Sequence, residues 1–322
     1  MTINDVHCHF FSERFFEMLS QGLPRFSGAH PARQVTVFLG WDDPGSPSDL
    51  AGRWVEELDQ SKVNRAALIA SLPGDEDSVA QAVACHPERF VGFFMANPLS
   101  ADEPQRVEMA LREKGLRAVC LFPAMHGHRI DDPAARQIFE VAASVPGVAV
   151  FVHCGALKVG VRNKLGLPSD FDIRNGNPLD LIPVALDHPD LPILIPHFGA
   201  GFLRETLMAV DLCPNILLDT SSSNNWIRYV PSLTLDQVFE SALRVAGAAR
   251  ILFGSDSSYF PRGWNSQILE SQKDCLQRLQ VSEADQEKII GGNFDWLFPA
   301  GSRATQAGRL KTQPSAQRES VS

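Results

Sequence analysis

Short, almost wholly apolar runs recur along the chain, separated by longer stretches in which apolar residues return every three or four positions. Eight of the short runs read as strands: Ile3–Phe10, Arg65–Ser71, Phe90–Ala96, Leu116–Phe122, Val148–His153, Pro192–His197, Asn215–Thr220 and Arg250–Asp256. The stretches between them carry helix signals. Leu50, Trp54, Val55 and Leu58 form one apolar stripe behind a Pro47-Ser48 start. Asp132-Pro133 joins an N-cap residue to a proline at the first helical position, and Asn177-Pro178 repeats the device. Thr234-Leu235-Asp236-Gln237 is a capping-box pattern and Ser282-Glu283-Ala284-Asp285 a close variant. Gly115 stands where a helix should stop.

Eight strands alternating with helices predict an α/β fold, a closed parallel (β/α)8 barrel of the TIM type, with a doubly wound open sheet as the alternative. The placement of chemistry favours the barrel. His7 and His9, His153, His197 and Asp256 fall at the C-terminal ends of the first, fifth, sixth and eighth expected strands. In a barrel those ends converge on one mouth, whereas in an open sheet they spread along a broad edge. The first strand-to-helix connection, from about Ser12 to Pro47, is long and contains Gly40-Trp41-Asp42-Asp43-Pro44-Gly45-Ser46-Pro47. It is expected to fold over the mouth as a lid, with Val35–Leu39 as an extra strand. Residues 1–299 are expected to form the barrel. Residues 300–322, small, polar and basic, are expected to be a disordered tail.

Composition narrows the function classes. The 322 residues are 44% hydrophobic and 21% charged, ample for a core in one large domain. The formal charge is −9, and the tail holds four basic residues against one acid, so the barrel itself is more acidic still. An acidic body without a basic stripe argues against nucleic acid and leaves a small molecule as the expected partner. The six cysteines are scattered with no C-x-x-C pair, as expected of reduced thiols in a cytoplasmic protein. No apolar run approaches the roughly 20 residues of a membrane helix. No secretory signal is expected either, since cleaving one would remove His7 and His9.

The candidate chemistry begins in Asp5-Val6-His7-Cys8-His9-Phe10. Side chains alternate along a strand, so His7 and His9 share one face and Cys8 takes the other. Imidazole and carboxylate ligands suit a zinc-like ion, and an open position lets bound water ionise near neutral pH. The expected ligands are His7, His9 and His153, with Asp256 as a fourth that also accepts a proton. His197 is expected to face the water and the substrate as base or hydrogen-bond donor. A lone strand-end histidine is more often a satisfied polar residue than a ligand. Five such groups at strand ends of one barrel are a much stronger signal.

Together, Asp5-Val6-His7-Cys8-His9-Phe10, the strand ending in His153, Pro196-His197-Phe198-Gly199-Ala200-Gly201, Phe253-Gly254-Ser255-Asp256 and Ile289-Ile290-Gly291-Gly292-Asn293-Phe294 resemble the amidohydrolase superfamily. More narrowly they resemble its amidohydrolase-related branch, which includes aminocarboxymuconate semialdehyde decarboxylase. The resemblance spans about Ile3 to Phe298. It implies one divalent metal, commonly zinc with manganese as the alternative, in a distorted (β/α)8 barrel that is often a homodimer. Binuclear members carry a carboxylated lysine at the end of the fourth strand. Here Val119-Cys120-Leu121-Phe122-Pro123 has no lysine there, which favours a single metal.

The substrate pocket is expected from loops beyond the strands: Lys158 and Arg162 after the fifth, Trp226 and Arg228 after the seventh, and Tyr259, Arg262 and Trp264 after the eighth. Cations and aromatics of this kind suit a planar or carboxylated molecule. His126 and His128 follow the fourth strand and are either substrate contacts or solvated loop residues. His86 and His188 precede prolines and read as helix C-terminal residues, and His30 carries no signal. The expected activity is metal-dependent hydrolysis of a C–N or C–O bond. Non-oxidative decarboxylation on the same residues is the close alternative, and a non-catalytic metal-binding barrel is the third.

Overall fold

Each of the eight apolar runs contributes a strand in the computed structural model, which describes residues 1–221 and 225–301. The strands are β1 (Asn4–Phe10), β2 (Arg65–Ala70), β3 (Phe90–Ala96), β4 (Ala118–Leu121), β5 (Ala149–Val152), β6 (Ile193–Ile195), β7 (Ile216–Asp219) and β8 (Ile251–Leu252). They pair in parallel in sequence order. Beyond β8 the chain continues along β1: Val6 N donates to Phe253 O at 3.0 Å, Asp256 N to His7 O at 3.0 Å and His9 N to Ser257 O at 2.7 Å. These bonds close the sheet on itself, so no edge is left open.

Strands buried on both faces need two apolar layers, and the sequence supplies them. Val6, Ile69, Phe93, Cys120, Phe151, Leu194, Leu217 and Leu252 fill the barrel interior. Phe10, Leu68, Phe94, Leu121, Val150 and Ile195 face outward and meet Trp54, Phe139 and Phe239 of the surrounding helices. Phe294, Leu297 and Phe298 extend the interior layer at the end opposite the mouth. Arg65 fastens that plug by donating to Asp295 and to Phe298 O, both at 2.7 Å.

The helix signals act as their chemistry requires. Ser46 and Asp49 form a full capping box at the start of Pro47–Gln60, which buries Leu50, Ala51, Trp54 and Leu58. Thr234 and Gln237 form another at the start of Leu235–Ala246. Asp132 precedes Pro133–Ala143 in extended conformation, and Ser282 caps Glu283–Glu287. Asn177-Pro178 opens a 3-10 turn, Pro178–Asp180, that runs into the helix Leu181–Asp187. Gly115, at φ +70°, follows the helix Glu103–Arg112.

A bulge in β1 decides how the site is built. Asp5 pairs with Ala66 and Cys8 with Leu68, so β1 carries one extra residue between them. Val6 therefore joins the barrel interior while His7 faces the mouth. Cys8 and Phe10 turn outward with the helices, and His9 returns to the mouth.

The first connection does cover the mouth, but one expected element there is different. Val35–Leu39 is not a strand: it lies in the helix Pro31–Leu39. Pro31 sets the first helical φ, Gly40 ends the helix at φ +66°, and Ala32, Val35 and Thr36 are buried at helical spacing. Ala32 and Val35 join Phe15, Phe16, Leu19 and Phe26 in a small core of their own against Val161 and Leu165. The β-branched residues in this stretch are overridden by that burial. From residue 302 onward, the expected disordered tail lies outside the described residues. Among the described residues no helix is long and apolar enough to cross a membrane.

Candidate metal centre

Three ligand-type side chains converge at the C-terminal end of the barrel. One ligand atom each from His7, His9 and Asp256 lie within 4.8 Å of one another, the sole such group among the described residues. Asp256 Oδ1 stands 3.6 Å from His7 Nε2 and 3.2 Å from His9 Nε2. Asp256 takes up a left-handed conformation, φ +59°, as the chain leaves β8 to pair with β1.

The protons on both histidines are assigned by their other contacts. His7 Nδ1 lies 2.7 Å from the buried Asp219 carboxylate, which can only accept, so Nδ1 carries the hydrogen. Ser71 Oγ donates to Ile69 O at 3.0 Å, so it accepts from His9 Nδ1 at 2.7 Å. Both Nε2 atoms then point lone pairs at the Asp256 carboxylate. His7 Nε2 is buried with no hydrogen-bond partner among the described residues. Two lone pairs and an anionic oxygen facing one another in a buried site are costly unless a cation lies between them. The donor set fits a divalent metal of the zinc or manganese type.

The electrostatics agree. Burial works to lower the His7 pKa, but Asp219 and then Asp256 more than offset it, and the net shift is upward. A proton therefore competes with a metal for Nε2. Burial lowers His9, His197 and, most strongly, His153. Burial alone would raise Asp256, yet His9, His7 and His197 hold its carboxyl well below the usual range.

Several groups that hold this centre were not singled out in the sequence analysis. Asp219 ends β7 and also accepts from Ser221 N at 2.6 Å. Ser221 Oγ lies 2.7 Å from His7 Nδ1 and 3.1 Å from His197 Nδ1. Asp5 is fully buried behind the bulge and accepts from His7 N at 2.8 Å, Ser255 N at 3.0 Å and Trp264 Nε1 at 2.7 Å. It thereby ties the strand that carries two of the three groups to the segment that carries the third. Gly254 makes room for the assembly: a Cβ there would meet the Asp219 carboxylate and stand 3.0 Å from His7 Cβ.

His197 stands just beyond β6 in an unusual backbone run. His197, Phe198 and Ala200 all have positive φ, at 56°, 50° and 43°, and Gly199 between them has 82°. Consecutive left-handed residues are costly and persist only where packing over-determines them. Here Gly155 allows the fifth-strand loop to lie directly on the carbonyls of Gly199 and Ala200. His197 Nδ1 donates to Ser221 O at 2.6 Å, which leaves its Nε2 lone pair free. His153 follows β5, buried, with no hydrogen-bond partner for Nδ1 among the described residues and its ring 5.2 Å from that of His197. It borders the same cavity but is not among the three tightly converging groups.

That cavity, of about 570 Å³, opens at the mouth. Of the residues expected to meet substrate, Lys158, Trp226, Arg228, Tyr259 and Arg262 lie in its wall. Arg162 does not: its guanidinium donates twice to Pro168 O, at 2.9 and 2.8 Å, and closes its own loop instead. Trp264 is spent on Asp5. Lys164 and Trp41, not singled out in sequence, join the wall. Cys120 faces the barrel interior at the fourth strand and Cys154 packs outward, both thiols pushed up by burial. His126 and His128 sit beside one another, ring centres 6.5 Å apart, with His128 Nδ1 donating to Arg129 O at 2.9 Å. His86 and His188 end helices as expected.

A family model described as amidohydrolase matches residues 5–293. No curated protein matches the chain. Solved structures with the same fold include 5-carboxyvanillate decarboxylase from Sphingomonas paucimobilis, with 16% identity, 92% of this chain and 98% of that chain covered, and a TM-score of 0.62. The 5-carboxyvanillate decarboxylase from Novosphingobium aromaticivorans, complexed with manganese and 4-hydroxy-3-methoxy-5-nitrobenzoic acid, has 13% identity, 92% and 96% coverage and a TM-score of 0.63. A probable 2-pyrone-4,6-dicarboxylic acid hydrolase from Acinetobacter baumannii has 14% identity, 92% and 99% coverage and a TM-score of 0.60.

Proposed function

Because the chain belongs to the amidohydrolase family, we propose that it is a metal-dependent enzyme hydrolysing a C–N or C–O bond of a small carboxylated or aromatic molecule. The observation that carries this reading is the convergence of His7 Nε2, His9 Nε2 and the Asp256 carboxylate, with both Nδ1 protons committed elsewhere. Zinc is the first choice of metal and manganese the second. His153 is proposed as a further ligand, supported by its burial, its unpartnered Nδ1 and its place on the same cavity. When bound, the ion supplies Lewis acidity, which makes water a nucleophile near neutral pH and polarises an acyl oxygen.

The residues of the chain do the rest. His197, neutral and with Nδ1 tied to Ser221 O, presents Nε2 as the base that takes a proton from water. Asp256, held ionised by the histidines around it, accepts a proton and passes it to the leaving group. Asp219 and Asp5 fix the tautomer of His7 and the position of its strand. The aromatic wall excludes water from the substrate side.

Decarboxylation on the same residues is the second reading. It is favoured by the cations of the cavity wall, Lys158, Arg228 and Arg262 among them, which can clamp a carboxylate. Here His197 or Asp256 would first take a proton from water or from an acidic group of the substrate and then deliver it to the carbon that loses CO2. Screening a panel of aromatic and conjugated acids, their esters and their amides decides between the readings. Released amine or alcohol supports hydrolysis and released CO2 supports decarboxylation. Turnover of no compound by the metal-loaded protein would return the reading to a non-catalytic barrel.

A further inference from the structure

Residues 12–41, the connection that covers the mouth, are fastened to the barrel at few points. Among the described residues they make no backbone hydrogen bond to the rest of the chain. Two side-chain bonds reach out: Ser12 Oγ donates to the Asp75 carboxylate at 2.5 Å, and Arg25 Nη2 to Leu165 O at 2.5 Å. The helices Glu13–Ser20 and Pro31–Leu39 pack on each other around Phe15, Phe16, Leu19 and Val35, in a core separate from both layers of the barrel. A segment with its own small core and so few bonds to its surroundings opens at a lower free energy than the strands beneath it.

What holds this lid down is concentrated on one short helix, Gly160–Lys164, and on Leu165 after it. Val161 and Leu165 share one side of the turn and are buried in the lid core, and Leu165 O takes the Arg25 bond. Lys164 Nζ, on the rim side, stands 5.3 Å from the Trp41 ring centre and 5.7 Å from that of Tyr259. Trp41 stacks on Tyr259 at 3.8 Å, and Asp42 N donates to Phe260 O at 3.0 Å, so the far end of the lid is pinned to the segment after β8. The loop of the short helix is bound to the barrel: Ala156 N donates to Ala200 O at 2.8 Å, and Arg162 closes the loop on Pro168 O. The connections after β1, β5 and β8 therefore meet around this helix. Phe15, Val161 and Lys164 line the cavity where they meet. None of the three groups that converge on the metal position lies in the lid. Moving the lid changes the way in and leaves the donor set intact.

We propose that residues 13–39 are a gate that opens as one unit, and that the helix Gly160–Lys164 with Leu165 is the clasp that keeps it shut. The gate swings between two pinned points, Ser12 on Asp75 and Trp41 on Tyr259, with Gly40 at φ +66° as the joint before the second. Opening withdraws Phe15 and its neighbours from Val161 and Leu165 and breaks the Arg25 bond. The gate sets how fast an organic molecule reaches and leaves the centre, and because it supplies no ligand it leaves the affinity there unchanged. The inference rests on the proposed metal centre for where the gate leads.

Hydrogen exchange and ligand-binding kinetics test this together. In the unmodified protein the amides of residues 16–39 are expected to exchange as a group, faster than those of the strands. Leu165→Ala is expected to speed that group about tenfold or more and to leave the strand amides as they were. Arg25→Met, which loses one hydrogen bond, is the gentler second variant, with an effect of about fivefold. Stopped-flow mixing of the cobalt-reconstituted protein with benzohydroxamate or azide follows entry through the visible spectrum of the ion. Association and dissociation of benzohydroxamate are expected to rise together in both variants, in step with the lid exchange and with Kd unchanged, while the rates of azide stay. Lid amides as slow as those of the strands, or lid and strands accelerated alike in both variants, would overturn the separate gate. Faster lid exchange with unchanged benzohydroxamate rates would overturn its control of entry. Failure of cobalt to bind, or of both probes to change its spectrum, would overturn the metal-centred reading, and the exchange of the lid amides would still decide whether the lid opens as a unit.

Discussion

Replacing Asp219 by asparagine changes one atom and should disable the metal centre through the tautomer of His7. Asp219 accepts two hydrogen bonds, from Ser221 N at 2.6 Å and from His7 Nδ1 at 2.7 Å. An amide has one acceptor and one donor end. If its oxygen keeps Ser221 N–H, its NH2 faces His7 Nδ1 and drives the imidazole proton to Nε2, the atom that must stay bare to ligate. If it flips, two N–H groups face each other in a fully buried site, a loss of about 1–3 kcal/mol. Removing a carboxylate that orients a ligating histidine typically weakens metal binding by about 10- to 100-fold, or roughly 1.4–2.7 kcal/mol. Ser221 Oγ, 2.7 Å from His7 Nδ1, can take over part of the orienting role. Asp219→Ala should therefore fall at the mild end and Asp219→Asn at the severe end. Competition titration with a zinc chelator measures both affinities, and nitrogen NMR reports which His7 nitrogen holds the proton. An asparagine variant that binds zinc as tightly as the unmodified protein, with Nδ1 still protonated, would refute the reasoning.

Other perturbations separate the remaining roles. His153→Ala should lose metal, whereas His197→Ala should keep it and lose turnover; equal metal loss in both variants would show that the roles are misassigned. In Gly254→Ala the new methyl would meet the Asp219 carboxylate and stand 2.8 Å from Ser221 Cβ. It should cost about 1–3 kcal/mol of stability in a melt and weaken metal binding as well, and an unchanged melt would mean that the segment after β8 can shift freely. His126 is held down to about 4 by burial and then by His128. It stays neutral in the folded chain, while in the unfolded chain it takes a proton near its ordinary value of about 6.5. Its contribution to stability is complete above about pH 6.5 and is lost as pH falls toward 4. An NMR titration should place its midpoint near the lower value, and a midpoint above 6 would contradict the burial.

The strand pattern was legible because a barrel strand buried on both faces must be apolar throughout, and no other element of that length needs to be. The ends of strands were less so. β8 comprises Ile251–Leu252, and the rest of its expected run, Phe253 to Asp256, leaves the β7 ladder to bond with β1. The lid misled because Val35, Thr36 and Val37 favour strands locally, while burial of Ala32, Val35 and Thr36 on one helical face decides the outcome. His7 and His9 were found because strand alternation holds beyond the bulge. Asp5 was missed because alternation would place it beside them, whereas the bulge turns it behind the strand toward Trp264. Asp219 offered the same cue as Asp256, an acid at a strand end. Its partner His7 is 212 residues away in sequence, so only the closed barrel brings the two together. Lys164 and Trp41 belong to loops whose pairing depends on how the lid packs.

The central claim is that the mouth of this barrel holds one divalent metal on His7, His9 and Asp256. Elemental analysis of the purified protein, with His7→Ala prepared alongside, tests it most directly. The account predicts about one equivalent of zinc or manganese in the unmodified protein, as expected of a single mononuclear site, and its loss in the variant. No metal in either protein after reconstitution and dialysis, or equal metal in both, would contradict it.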